Sequence, residues 1–311
     1  MLSTMTRAMP QITLPDGESM PAYGQGTWHM GENRDSRADE TAALRLGIDL
    51  GITLIDTAEM YANGVAEEIV ADAMGQDREK LFIVSKVLPS NASQQGTIEA
   101  CERSLRRLRT DRIDLYLLHW RAAHPFVETL AGFERLQRDG KIRHHGVSNF
   151  GRRDMAKWVS AGGANIVANQ ILYNLNRRDP EWGVIPWCHD RRISIMAYSP
   201  IEQGRMLGHK ALAEVAGRHG AKPAQVALAW LLRQDGLIVI PKASQQQHVR
   251  ENLGALDLTL TDDDLVTLDR AFPRPGRVSA RQGLSYIYHR PALASVRTWI
   301  TDMIRRPRRP H

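Results

Sequence analysis

Short apolar runs alternate along most of this chain with longer stretches in which apolar residues recur every three or four positions. The runs are PAYG (21–24), TLID (53–56), LFIVSK (81–86), IDLYLLH (113–119), HHGVS (144–148), NIVANQ (165–170), SIMAYS (194–199) and LIVIP (237–241). Their length and β-branched content predict buried strands. The periodic stretches cover 39–51, 65–75, 97–109, 127–140, 154–162, 181–191, 211–220, 223–234 and 248–256, and predict amphipathic helices. QITL (11–14), the turn PDGES (15–19) and MPAYG (20–24) predict an opening β-hairpin. Eight strand–helix units over roughly 250 residues predict an α/β fold, a (β/α)8 TIM barrel with an N-terminal β-hairpin. No linker interrupts the alternation before residue 273. Residues 1–273 therefore read as one barrel domain and 274–311 as a C-terminal extension, partly ordered at most.

Polar residues fall where this pattern has no packing use for them. Asp56, Lys86 and His119 end the second, third and fourth strands, and Tyr61 opens the loop after Asp56. Ser148 and Asn149 end the fifth strand, Gln170 the sixth and Tyr198 the seventh, and Lys242 follows the eighth. In such barrels the C-terminal strand ends form one rim, which carries the active site. A Tyr, a Lys, an Asp and a His at one rim form a proton-donating set. A phenol titrates near pH ~10. A neighbouring ammonium favours the phenolate, so Lys86 is expected to make Tyr61 a better acid. A carboxylate can hold the ammonium, and an imidazole can orient a carbonyl or relay a proton.

Other chemistries lack their residues. GQG at 24–26 has His29 where a dinucleotide fingerprint needs its third glycine. No Tyr has a Lys four positions on, and no HExxH, Walker loop or paired-cysteine pattern occurs, so no metal is expected. His144 and His145 are adjacent on a strand and face opposite sides. The net charge of +6 is uneven: residues 274–311 hold nine Arg and one acid, Asp302, leaving 1–273 at −2. The basicity thus belongs to the extension, and neither nucleic acid nor a membrane is expected as a primary partner. The N-terminus shows no apolar signal region and no run is long enough to span a bilayer. Two cysteines without metal-ligand spacing suit a reducing cytoplasm, which is the expected location.

From the hairpin to about residue 273 the chain resembles the aldo-keto reductases. The motifs are GxGTW (24–28), GIxLIDTAEMY (51–61), SK (85–86), DLYLLHW (114–120), GKIRxxGVSNF (140–150), NQ (169–170), MAYSP (196–200) and IPKASxxxHVREN (240–252). The opening and the IPKA segment look most similar to bacterial methylglyoxal-reductase-type members. The resemblance implies NADPH as cofactor and a small carbonyl compound as substrate. It implies Tyr61 as general acid, tuned by Lys86 paired with Asp56, and His119 orienting the carbonyl oxygen. Ser148, Asn149 and Gln170 would hold the nicotinamide carboxamide, with Tyr198 stacked on the ring, and Gly26, Thr27 and Asp56 would also contact the cofactor. Ser199, Pro200, Ile201 and Gly204 would follow the pyrophosphate. Lys242 and Ser244 match positions at the 2′-phosphate, Glu251 and Asn252 positions at the adenine, and Ala243 and His248 would also lie at the cofactor. His248 stands where the family often has Arg, which weakens one phosphate contact; Arg250 is a candidate substitute. Trp28 and Trp120 would line an apolar substrate pocket with Tyr61 and His119. The implied reaction is reduction of aldehydes or ketones, small dicarbonyls such as methylglyoxal favoured. The alternatives are sugar aldehydes or keto-sugar acids as substrates, or a cofactor-sensing binding subunit without catalysis.

Overall fold

A computed structural model describes residues 9–276 of the chain. Most of the expected extension, including a segment at 284–300 anticipated to be partly ordered, lies outside the described residues.

The hairpin pairs β1 (Gln11–Thr13) antiparallel with β2 (Ser19–Pro21). Eight parallel strands follow: β3 (Gly24–Gly26), β4 (Leu54–Asp56), β5 (Phe82–Val87), β6 (Ile113–Leu118), β7 (Ile142–Ser148), β8 (Ala168–Leu172), β9 (Ser194–Tyr198) and β10 (Leu237–Val239). Each pairs with the next in chain order. A parallel bridge between Tyr23 and Val239 brings the last strand back to the first. The Val239 N–H donates to the Ala22 carbonyl at 2.9 Å and the Gly26 N–H to the Pro241 carbonyl at 3.0 Å, which closes the barrel. The helices are α1 (Arg37–Asp49), α2 (Val65–Met74), α3 (Gln94–Leu108), α4 (Phe126–Arg138), α5 (Arg152–Ser160), α6 (Val184–His189), α7 (Lys210–Arg218), α8 (Pro223–Leu232), α9 (Gln246–Leu253) and α10 (Asp262–Ala271). None among the described residues is long and apolar enough to cross a membrane.

The alternation of the strands separates two cores. Leu54, Phe82, Val84, Leu115, Leu117, Ala168, Met196 and Ile238 fill the interior, sealed at one end by Leu14 and Met20 of the hairpin. Ile55, Ile83, Tyr116, Leu118, Val147 and Ile195 point outward and pack under the helices. Gly146 keeps the interior passable: a Cβ there would stand 2.6 Å from both the Ala168 carbonyl oxygen and Leu117 Cδ2. His144 and His145 divide as their parity requires. The His144 Nε2 meets Glu18 of the hairpin at 2.9 Å, whereas His145 stacks outside on Phe133 at 5.3 Å. Arg143 and His144 together hold the Glu18 carboxyl below the usual range, so the plug is fastened by charge as well as by burial.

Three elements differ from the pattern. The first barrel strand is Gly24–Gly26 rather than 21–24; Pro21 belongs to the hairpin, and bare glycines give no apolar signal. The expected helix 181–191 is broken at Gly183 into a 3-10 turn, Asp179–Trp182, and the short α6. Helix α10 went unpredicted because its start, TDDD, is acidic throughout. Its signal was a capping box: the Thr261 hydroxyl accepts from the Asp264 N–H at 3.2 Å while the Asp264 carboxylate accepts from the Thr261 N–H at 2.9 Å. Asp264 also accepts from Arg218 and meets His219. Thr261→Ala should cost about 1 kcal/mol and lower Tm by roughly 2–4 °C. Thr261→Ser should be near neutral. Thermal unfolding of both variants checks this, and an unchanged Tm in the alanine variant would show that the cap carries no stability.

Candidate active site

The rim is built from inward-facing positions one layer above the interior core. Asp56 lies two residues beyond Leu54, Lys86 two beyond Val84 and His119 two beyond Leu117, so strand periodicity alone carries all three inward. Lys86 is fully buried. Its Nζ donates to the Asp56 Oδ2 at 2.9 Å, the Thr57 carbonyl at 2.8 Å and the Tyr61 hydroxyl oxygen at 3.1 Å. Three acceptors use all three ammonium protons. The other Asp56 oxygen accepts from Gln170 Nε2 at 2.7 Å, which ties β8 to the same carboxylate. Tyr61 opens a 3-10 turn whose next two residues, Ala62 and Asn63, have positive φ. That tight turn returns the phenol over the strand ends.

The charge states follow from burial. Burial raises the Tyr61 phenol well above its ordinary value, and the Asp56 carboxylate adds to this. This reverses the expectation that Lys86 would make the phenol more acidic. The loss of water outweighs the neighbouring ammonium, and the Asp56 carboxylate works against it as well. Burial lowers Lys86 below the usual lysine value, opposed by Asp56 and by Glu67, a buried carboxylate that accepts from the Ser85 hydroxyl at 2.6 Å. Burial, then the Lys86 charge, pushes His119 well below the ordinary imidazole value. The ring is therefore neutral, and its Nδ1 has no partner among the described residues.

Aromatic rings frame the phenol. Trp28 lies parallel to Tyr61 with centroids 6.1 Å apart, and His119 meets it edge-on at 5.8 Å. Trp120 tilts against His119 at 4.8 Å. The four residues expected around a substrate thus stand together. The polar groups at the ends of β7, β8 and β9 form a second cluster. Asn149, with φ of 61°, donates through Nδ2 to the His119 carbonyl at 3.0 Å and accepts from the Tyr198 hydroxyl at 2.8 Å. The Ser148 hydroxyl donates to the Gln170 carbonyl at 2.9 Å. Gly26 and Thr27 close the opposite side, where the Thr27 hydroxyl donates to the Asp56 carbonyl at 3.0 Å.

Ser199, Pro200, Ile201 and Gly204 lie on the loop after β9. Asn174 and Glu202, which the sequence did not single out, anchor that loop. Asn174 Nδ2 donates to the Ser199 carbonyl at 2.8 Å and to Glu202 at 2.7 Å, and Arg177 closes on the same carboxylate. Farther along the rim, Lys242 Nζ donates to the Ser244 hydroxyl. That hydroxyl approaches the buried Glu40 of α1 at 3.4 Å, a contact also unforeseen. A cavity of about 370 Å³ opens here between the start of α1 and the segment after β10, with Ser244 and Gln245 in its wall. Ala243 packs against the apolar cluster of Tyr23, Ala43, Ile52, Val249 and Leu253. His248 is exposed on α9, Glu251 is half-buried and Asn252 is buried. Arg250 is two positions from His248 on a helix of 3.6 residues per turn, so it points away from that face.

This is the fold and rim of a barrel oxidoreductase. The sequence model of the aldo/keto reductase family matches residues 23–272, and the chain belongs to that family. It is 49% identical over 263 residues to methylglyoxal reductase YeaE of Escherichia coli K12, covering 83% of this chain and 93% of that protein. It is 32% identical over 258 residues to glyoxal reductase of Bacillus subtilis 168, covering 83% and 91%. Among solved structures, an aldo-keto reductase from Klebsiella pneumoniae in complex with NADPH superposes with a TM-score of 0.84 at 44% identity, covering 87% of this chain and 98% of that one.

The site predicts its own titration. Nitrogen-resolved NMR of His119 should show a mostly neutral ring at pH 6.5, where an ordinary imidazole is half charged, because burial holds its folded value below the ordinary one. A midpoint near 6.5 would mean that the ring is hydrated and the pocket open.

Proposed function

We propose that this chain catalyses NADPH-dependent reduction of small dicarbonyls such as methylglyoxal, with Tyr61 as the general acid. One observation carries the catalytic part. The Tyr61 oxygen accepts a hydrogen bond from Lys86, so its own proton is left to point at a substrate. A buried phenol holds that proton through neutral pH. It releases the proton to the oxygen of a carbonyl under reduction, since an alkoxide is a stronger base than a phenolate. Lys86 then faces the phenolate and stabilises it, while Asp56 keeps the ammonium in place. His119, neutral and edge-on to the phenol, donates to the same carbonyl oxygen and fixes its direction. Trp28 and Trp120 exclude water from the pocket and narrow it toward short substrates.

The donors along the rim fit a nicotinamide dinucleotide phosphate. Lys242 makes no ion pair among the described residues and donates to Ser244 beside a cavity, which suits an anion. Tyr198 keeps part of its ring uncovered next to Asn149, Ser148 and Gln170, a flat face beside amide-binding groups. NADPH, when bound, supplies the hydride. Gly26, Thr27, Asp56, Ser148, Asn149, Gln170 and Tyr198 would hold the nicotinamide end and Ser199, Pro200, Ile201 and Gly204 the pyrophosphate. Lys242, Ala243, Ser244 and His248 would hold the 2′-phosphate, with Glu251 and Asn252 at the adenine. The substrate reading draws on the relatives named for methylglyoxal and glyoxal reduction. Residues 1–273 are the catalytic unit in this reading and 274–311 a separate basic extension; the family match ends at residue 272. Two buried free cysteines fit a cytoplasmic setting.

An NADPH oxidation assay tests the reading. Methylglyoxal should be turned over with a higher kcat/KM than an open-chain sugar aldehyde. Tyr61→Phe should lower kcat by at least ~10²-fold while NADPH binding holds. A tenfold preference for the sugar would move the substrate class, and a Tyr61→Phe variant above a tenth of wild-type turnover would remove Tyr61 from its role.

A further inference from the structure

Glu40 does not belong where a phosphate is to bind. It is 4% exposed and faces the group that would receive the 2′-phosphate. One of its oxygens accepts from the Gly31 N–H at 2.8 Å, which fixes the carboxylate. The other accepts from the Ser244 hydroxyl at 3.4 Å, while that hydroxyl accepts from Lys242. Lysine, serine and glutamate therefore form a relay with opposite charges at its two ends beside the cavity. Glu40 and Ser244 both line that cavity. The Lys242 ammonium, lowered by burial, is held up by Glu40 first and by Glu32.

A phosphate monoester carries ≈ −1.5 to −2 at neutral pH and only acceptor oxygens. To use Ser244 it must take the hydroxyl proton away from Glu40, and it then faces a fixed carboxylate that has lost a donor. A ribose 2′-hydroxyl has the opposite chemistry: it can donate to a carboxylate, the interaction by which an acidic residue favours NAD over NADP. Lys242 and Glu40 thus draw the site toward different cofactors from the two ends of one relay.

We propose that Glu40 is a cofactor-specificity residue that weakens the preference for NADPH and admits NADH as an alternative reductant. The proposal rests on Lys242 and Ser244 marking the 2′-phosphate end. It agrees with His248 standing where an arginine would add a second cation.

Fluorescence titration of the intact chain with NADPH and with NADH at fixed ionic strength tests it. Glu40→Gln removes the charge and keeps the size of the side chain, with its one amide oxygen for the Gly31 N–H and its NH2 turned as a donor to the Ser244 hydroxyl. The ratio of Kd for NADH to Kd for NADPH should rise about tenfold in this variant, through tighter NADPH and weaker NADH. A ratio that rises less than about threefold, stays level or falls overturns the proposal, since Glu40 would then only hold Ser244 in place. Glu40→Ala gives the same reading if thermal unfolding shows the glutamine variant to be misfolded. Wild-type protein that binds neither dinucleotide would sink the reductase reading as well. Binding of both with an unmoved ratio would sink only the role of Glu40.

Discussion

Everything at the rim depends on an ammonium group with no access to water. A buried charge of this kind is tolerated only when paired and fully hydrogen-bonded. Lys86 meets that condition with a carboxylate, a backbone carbonyl and a phenol oxygen drawn from β4 and the turn after it. Removing one partner of such a pair typically costs about 3–5 kcal/mol. The three groups are therefore held as one unit, and the direction of the Tyr61 proton follows from that unit. Gln170 extends it across the barrel to β8, so the proposed catalytic and nicotinamide ends share the Asp56 carboxylate.

The same pair explains why the phenol keeps its proton. An ammonium alone would favour the phenolate, but Asp56 opposes that field and burial outweighs it. What remains is the cost of charging a ring sealed by Trp28 and His119. A phenol tuned in this way is inert until a stronger base forms in front of it. In the proposed mechanism that separates the resting enzyme, which is neutral at Tyr61, from the reacting one.

Much of this was legible in the sequence, and the reason is parity. Leu54–Asp56, Val84–Lys86 and Leu117–His119 repeat one step of two residues, so the interior core and the rim are written in the same positions. What stayed hidden had no local signal. The first barrel strand is Gly-Gln-Gly and carries no apolar pattern. Helix α10 starts in a run of acids that looks solvated until its capping box is noticed. Glu40 reaches Ser244 across 204 positions of chain and passes on its own as a helix first-turn acid. The direction of the Tyr61 shift was misjudged because the sequence shows which charges are near and not how much water is lost.

The most direct test is the protonation state of Tyr61 in the free protein, followed by NMR of the phenol Cζ carbon in labelled enzyme. The account predicts a neutral phenol at pH 7 that is still protonated at pH 10, the ordinary midpoint of tyrosine. A phenolate signal near neutral pH would contradict it, and would mean that the Lys86 charge, rather than burial, sets the acid.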